Sequence, residues 1–486
     1  MTDTYAPARP AAPLNNDILN EAPALVAVPT YDRSALTPGV VHIGVGGFHR
    51  AHQAAYFNEL AEQGVSDWGI VGVGLHSRGI KEALEPQDLL YTLVERGAGD
   101  DHAQVVGAHA HYLYAPDDPE RIYAALADPA IRLVTLTVTG DGYHVDQESL
   151  EFRADADEVV ADLEGPDCCA TFAAFIVEGL RRRRGAGEAP FTVLSCDNVP
   201  RNGQVARAAV AGFARLRDPE LADWIEAHVA FPSSMVDRIT PETDDAVAEM
   251  VERDHRIEDN APVTTEPFRQ WIIEDDFCNG RPPLDLVGAQ FVADVAPYEL
   301  MKKRMLNGTH SALGYLGHLA GCRTTDEVME DEVLGAFVAR LVTDEIVPLV
   351  PSVPGIDLAE YTETLLERLS NPKIGDELTR LCRRGSTKVP SYLLPSVAEA
   401  FADDRPRELL TLAVAGWVRY LRCADDIQDA RLDELRPLAA DARRFATDRS
   451  VFGELSEDAG FAEALAAAVQ RLEADGPCGA IRRALS

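Results

Sequence analysis

Lys302, Asn307 and His310 bring a proton acceptor, a carboxamide and an imidazole into one nine-residue stretch, Lys302-Lys303-Arg304-Met305-Leu306-Asn307-Gly308-Thr309-His310. Such a set could oxidise an alcohol without a metal. A secondary alcohol is too weak an acid to lose its proton unaided, so hydride departure needs a base and donors aimed at the developing alkoxide. At about 100° per residue, His310 lies roughly 60° from Asn307 and roughly 80° from Lys302 around a helix axis, which places all three on one broad face. The same residues also fit a solvated basic face with a structural histidine.

The segment needs a helix to present it. Pro297 suits a first turn, and Gly321 suits a stop after Ser311-Ala312-Leu313-Gly314-Tyr315-Leu316. Beyond Val292 the strand signals fade, and Ala336 to Thr343, Leu358 to Leu369, Glu408 to Arg419 and Ala462 to Leu472 read as amphipathic helices. Upstream, Val40-Val41-His42-Ile43-Gly44, Trp68 to Val73, Leu133 to Val138 and Phe191 to Ser195 read as strands, with helices from Ala51 to Gln63 and from Thr171 to Arg182. Alternating strands and helices imply an α/β domain with a mostly parallel sheet wound on both faces, made mixed by antiparallel material between Glu95 and Tyr112. The expected organisation is an extended arm over residues 1–38, broken by Pro10, Pro13, Pro23 and Pro29, an α/β domain over 39–291 and a predominantly α-helical domain over 292–486. The Lys302 segment falls just past that seam.

Gly44-Val45-Gly46-Gly47-Phe48-His49-Arg50 joins the first strand to the first helix. In that context glycines permit a tight turn and close approach of a pyrophosphate, so the whole segment is a candidate dinucleotide site. His49 stands where a third glycine is usual. The second strand ends in Gly74-Leu75-His76-Ser77-Arg78-Gly79, with no carboxylate for an adenosine ribose. Arg78 could accept a 2′-phosphate or stack on adenine, which leaves NAD against NADP open.

Composition narrows the classes. A chain of 486 residues exceeds one hydrophobic core, and a formal charge of −35 argues against nucleic acid or anionic lipid as partner. No apolar run reaches membrane-spanning length and the start lacks a basic region followed by an apolar one, so a cytoplasmic protein is expected. The eight cysteines are scattered, apart from Cys168 and Cys169, as reduced thiols would be. His49 with His52, or His109 with His111, lacks the further ligands of a zinc site, so no metal is expected.

With these blocks in order, the chain resembles the polyol-specific long-chain dehydrogenase/reductase family. The likeness rests on Val41 to His52, Ser195-Cys196-Asp197-Asn198, Met235 to Pro241, Gln270 to Asp275 and the Lys-x4-Asn-x2-His spacing, and runs from about Val28 to the C-terminal helices. The resemblance implies a Rossmann-like N-terminal domain, a helical C-terminal domain with a cleft between them, and metal-independent hydride transfer between a polyol carbon and a nicotinamide. It also implies Lys302 as general base, Asn198 and Asn307 flanking the reacting oxygen, His310, Asp237, Arg380 and Lys388 on the substrate, and Glu299 in proton exchange with solvent. Each has a plainer alternative: a turn and cap for Asn198, a local pair for Asp237 with Arg238, solvation for Arg380 and Lys388, a helix start for Glu299.

The leading expectation is reversible oxidation of D-mannitol to D-fructose with NAD, by a monomer or small homo-oligomer. D-mannonate is the nearest rival, since Arg380, Arg384 and Lys388 could meet a carboxylate; arabinitol and sorbitol also fit. A dinucleotide sensor without turnover is the alternative of another class, and a zinc alcohol dehydrogenase is a further one.

Overall fold

A computed structural model describes residues 11–21, 26–165 and 170–486, in two compact units that part between Val295 and Ala296. Pro10, Pro23, Cys168 and Cys169 lie outside the described residues. The first unit is built on a five-stranded sheet, β1 (Pro38–Ile43), β2 (Gly69–Gly74), β3 (His109–Tyr114), β4 (Leu133–Leu136) and β5 (Thr192–Ser195), in spatial order β3-β2-β1-β4-β5. Every neighbouring pair in it is parallel.

The period-two alternation of these strands divides the core into two faces. Val41, Ile43, Val71, Val73, Val134, Leu136 and Val193 pack under the helices Phe172–Ala186 and Asn202–Arg217. Val40, Ile70, Leu133 and Leu194 face the other way, against Tyr56, Phe57 and Leu60. Both faces are covered, as a parallel sheet requires.

Two expected elements are arranged differently. The helix read from Ala51 to Gln63 starts earlier and comes in two pieces, α1 (Gly47–Ala51) and α2 (Gln53–Glu62), broken at His52 (φ −116°, ψ −85°), whose Nε2 bonds the Gln270 carbonyl at 2.9 Å. The antiparallel material is real but only in part. Tyr91–Glu95 and His102–Val106 pair antiparallel in a smaller sheet with Val263–Thr265 and Val26–Ala27, whereas β3 leaves that sheet to lie parallel beside β2. The main sheet is therefore wholly parallel, and the mixed character belongs to the smaller sheets. In the N-terminal segment, Ala12–Pro13 runs beside Ile257–Glu258 and Val26–Ala27 beside Ala103–Gln104.

The second unit is helical. Gly308–Ala320 packs against Glu408–Cys423 and against the long Ala459–Leu485, which kinks at Gly476. Trp417 is buried, and Gly317 admits Val328 so closely that a Cβ there would lie 2.4 Å from its side chain. Gly321 ends its helix in the left-handed region (φ 92°). No helix among the described residues is long and apolar enough to cross a membrane.

Candidate active site

The glycine turn follows β1 at the point where strand order reverses between β1 and β4, the place where open parallel sheets bind ligands. Gly44 has φ 101°, and a Cβ on it would sit 2.1 Å from the Thr137 carbonyl oxygen, so only glycine fits. At Gly46 the nearest atom to an added Cβ is 3.9 Å away, and at Gly47 nothing lies within 4 Å. The turn thus leaves its backbone uncovered over the first amides of α1, which have no acceptor within the helix. A cavity of about 380 Å³ opens there, lined by Gly44 to Gly46, by Gly74 to Ser77 and Ile80 after β2, and by Thr137 to Thr139 after β4. Bare backbone beside a groove at the carboxyl ends of the strands fits a dinucleotide pyrophosphate.

The rest of the turn faces inward. The His49 ring stacks on His42 of β1 (centroids 3.4 Å apart, 12° between planes) and its Nε2 lies 3.1 Å from His109 Nε2. The ring at the third-glycine position thus serves inward packing: His42 stands opposite Gly72 in the register, and a Cβ added at Gly72 would meet Val45, His109 and Tyr112. Burial pushes the His42 and His109 pKa values down to about 3 and that of His49 well below its usual value. Arg50 is buried with its guanidinium on the Ala261 carbonyl, and Phe48 stacks on His52 at 5.1 Å. None of Phe48, His49 and Arg50 lines the cavity. Arg78 stays at the surface just beyond the cavity-lining Ser77, its guanidinium paired with Asp117 and 5.1 Å over the Tyr114 ring.

Asn198 is exposed just past the end of β5, on a loop clamped from two sides. Asp197 accepts from the Val138 and Thr139 amides at 3.0 Å each and from the Tyr143 hydroxyl at 2.7 Å. Asn202 donates to the Ser195, Asp197 and Ser234 carbonyls and accepts from the Ser234 amide. Burial raises the Asp197 pKa despite its three donors. Sequence reasoning singled out Asn198 and passed over Asp197, although an acid at the carboxyl end of a buried strand was the available signal. It also missed Thr139, held at φ 67°, and the His144–Glu158 pair at 3.0 Å on the cavity wall. Asp237 is buried at the end of Ser234–Asp237; the neighbouring Arg238 bonds Glu95 and the Glu266 and Ala51 carbonyls.

In the second unit, Glu299 and Lys302 lie on α3 (Ala296–Lys302), followed by a π-helical turn, Lys303–Asn307, and then by α4 (Gly308–Ala320) carrying His310. The Gly308 amide bonds the Lys303 carbonyl, an i→i+5 link that inserts one residue without advancing the helix. Removing one 100° step from the α-helical count brings Asn307 to roughly 40° and His310 to roughly 20° from Lys302 around the axis, a narrower face than regular winding gives. Gly308 meets the Tyr392 carbonyl closely, 3.1 Å from an ideal Cβ, and Arg304 ties the turn to the Leu349 carbonyl and to Glu399. Lys302 is buried at 6% exposure, while Glu299, Asn307 and His310 are half-buried.

Arg380 donates from Nε and Nη2, one edge of its guanidinium, to the two oxygens of Asp376, at 2.7 and 2.5 Å. Lys388 donates to the Arg380 and Leu381 carbonyls at 3.2 and 3.0 Å, and burial followed by the Arg380 charge lowers its pKa to about 8. Among the described residues no three His, Cys, Asp or Glu side chains gather as a metal site.

A wholly parallel sheet in this order, with a glycine turn opening on a groove at its carboxyl ends, defines a Rossmann-type dinucleotide-binding unit, here joined to a helical unit. Residues 38–286 match the model of the mannitol dehydrogenase Rossmann domain, and residues 294–473 that of the mannitol dehydrogenase C-terminal domain. The chain belongs to the mannitol dehydrogenase family. It is 42% identical to mannitol 2-dehydrogenase of Pyrenophora tritici-repentis over 94% of this chain and 84% of that one. It is 41% identical to mannitol dehydrogenase 2 of Saccharomyces cerevisiae over 98% of each. The solved structure of Pseudomonas fluorescens mannitol 2-dehydrogenase in ternary complex with NAD and D-mannitol matches with a TM-score of 0.88 at 40% identity, covering 98% of this chain and 99% of that one. A substrate-free D-sorbitol dehydrogenase matches with a TM-score of 0.89 at 35% identity, covering 96% and 100%.

Proposed function

We propose that this chain is a mannitol 2-dehydrogenase, interconverting D-mannitol and D-fructose by metal-independent hydride transfer at C2 with NAD. The observation that carries the reading is the near full-length likeness to an enzyme solved with both NAD and D-mannitol, joined to a Lys302, Asn307 and His310 face that the π-turn draws together. NAD, when bound, accepts the hydride. Lys302 takes the hydroxyl proton on Nζ, Asn198 and Asn307 donate to the oxygen as it gains charge, and Glu299 passes the proton onward. His310, Asp237, Arg380 and Lys388 orient the remaining hydroxyls. Residues 39–291 hold the dinucleotide and residues 292–486 the polyol, in a cytoplasmic monomer or small homo-oligomer.

A polyol is favoured over a sugar acid because the charge of Arg380 is already met by Asp376 and Lys388 is only partly protonated above pH 8. D-sorbitol is the second reading, favoured by the D-sorbitol dehydrogenase match. The test compares kcat/KM for mannitol, sorbitol, arabinitol and mannonate with NAD, with and without EDTA, in wild type and Lys302→Ala. Mannitol is expected to lead, EDTA to change nothing, and Lys302→Ala to lower kcat by roughly three powers of ten, within the range for loss of a general base together with charge stabilisation, while leaving NAD binding intact. A higher value for mannonate, rescue by zinc alone, or full turnover in Lys302→Ala would each overturn the corresponding part.

A further inference from the structure

The turn after β2 is where a Rossmann-type unit meets the adenosine ribose, and Ser77 and Ile80 of this turn line the cavity. The cations nearest to them in sequence are Arg78 and Lys81. Both are held by one carboxylate from the loop after β3: Asp117 Oδ1 pairs with Arg78 Nη2, and Asp117 Oδ2 lies 2.6 Å from Lys81 Nζ. Glu85 lies 3.6 Å from Lys81 on the other side. The two cations therefore face two carboxylates and the cluster is neutral, in a chain whose formal charge is −35. The next residue, Asp118, turns away to cap the helix Pro119–Ala127 through the Arg121 amide.

NADP differs from NAD by a 2′-phosphate dianion on this ribose, which needs unpaired positive charge. We propose that Asp117 sets the cofactor preference, holding Arg78 and Lys81 in internal ion pairs so that neither is offered to a 2′-phosphate. The inference rests on the dinucleotide reading of the cavity. On this reading a strand end with no ribose-binding acid still favours NAD: discrimination comes from neutralising the cations, one loop away, instead of from repelling the phosphate directly.

The experiment measures kcat/KM with NAD and NADP at saturating D-mannitol in wild type, Asp117→Asn and the double variant Arg78→Ala/Asp117→Asn, with 2′,5′-ADP and 5′-AMP as competitive inhibitors. Wild type is expected to favour NAD. Asp117→Asn should raise the NADP-to-NAD ratio at least tenfold, through KM, and tighten 2′,5′-ADP inhibition relative to 5′-AMP, a gain that added salt diminishes. The double variant should lose most of that gain. A ratio within twofold of wild type in Asp117→Asn overturns the proposal, as does a wild type that prefers NADP, or equal losses with both cofactors. Absence of wild-type turnover with either dinucleotide would instead remove the dinucleotide reading itself. Asp117 is exposed, and the inhibitor comparison gives a readout that does not depend on turnover.

Discussion

Asp197→Ala should loosen the loop that carries Asn198, and the size of the effect follows from what the carboxylate holds. It accepts from the Val138 and Thr139 amides and from the Tyr143 hydroxyl. Bonds to a charged acceptor contribute roughly 1.5–3 kcal/mol each, and a stranded buried donor costs about 1–3 kcal/mol. Three effects reduce the sum. Thr139 is exposed and its amide can turn to water, Tyr143 keeps its 2.6 Å bond to Ser195, and removing the carboxylate relieves the burial that raises its pKa. The net loss is about 2–3 kcal/mol, concentrated between β4 and the end of β5. Hydrogen exchange reads it directly: the Val138 and Thr139 amides should exchange roughly 30- to 150-fold faster at 1.4 kcal/mol per decade. Turnover should fall by roughly ten- to a hundredfold, less than in Asn198→Ala, because a displaced oxyanion donor loses part of the ~2.7–4 kcal/mol such a donor supplies. Asp197→Asn, which keeps an acceptor oxygen, should fall between wild type and alanine in both assays. Wild-type exchange at Val138 and Thr139 in the alanine variant would refute the clamp. Faster exchange with unchanged turnover would break its link to Asn198.

Two further outcomes test the dinucleotide unit. His42, His52 and His109, with pKa values lowered by burial to about 3, and His49, also lowered well below its usual value, stay neutral in the fold but titrate at about 6.5 when it opens, so the unfolded chain alone takes up protons as pH falls. Stability is complete above pH 6.5 and is lost from there towards pH 3; at pH 5.5 each histidine removes about 1.4 kcal/mol, and a urea midpoint unchanged between pH 7.5 and 5.5 would exclude the effect. Gly44→Ala and Gly47→Ala should separate folding from binding. The first should destabilise by at least about 1–2 kcal/mol for its left-handed backbone, with the Thr137 contact added. The second should leave the urea midpoint at or slightly above wild type while weakening NAD, and Gly47→Ala binding NAD as wild type does would move the pyrophosphate away from this turn.

How much of this was legible in the chain differs from element to element, for physical reasons. The strands Val40–Ile43 and Leu133–Leu136 were readable because continuous apolar runs are what burial on both faces demands. Sheet membership was not: His102–Val106 and His109–Tyr114 have similar local patterns, and only distant partners, Tyr91–Glu95 for one and β2 for the other, send them to different sheets. The helix stop at Gly321 was visible, since glycine is the residue that accepts that backbone. The fold of His49 onto His42 and His109 was hidden, because two of those rings are 60 residues apart in the chain and meet only through sheet register. Asn198 was within reach of the sequence, but its support by Asp197 and Asn202 depends on loops from three strands closing together.

The π-turn at Lys303–Asn307 makes the second unit a ratchet with one extra tooth. Substitutions there change what the helix touches, but a one-residue deletion would restore ordinary winding and leave every side chain after it facing as before relative to Lys302, whereas a one-residue insertion would turn them by roughly 100°. The extra residue is then spare length, which widens the turn without changing the direction of the face beyond it. A library should tolerate many replacements at Lys303, and a single-residue deletion between Lys302 and Asn307 should keep more turnover than a single-residue insertion there; an insertion that keeps full turnover would refute the winding count.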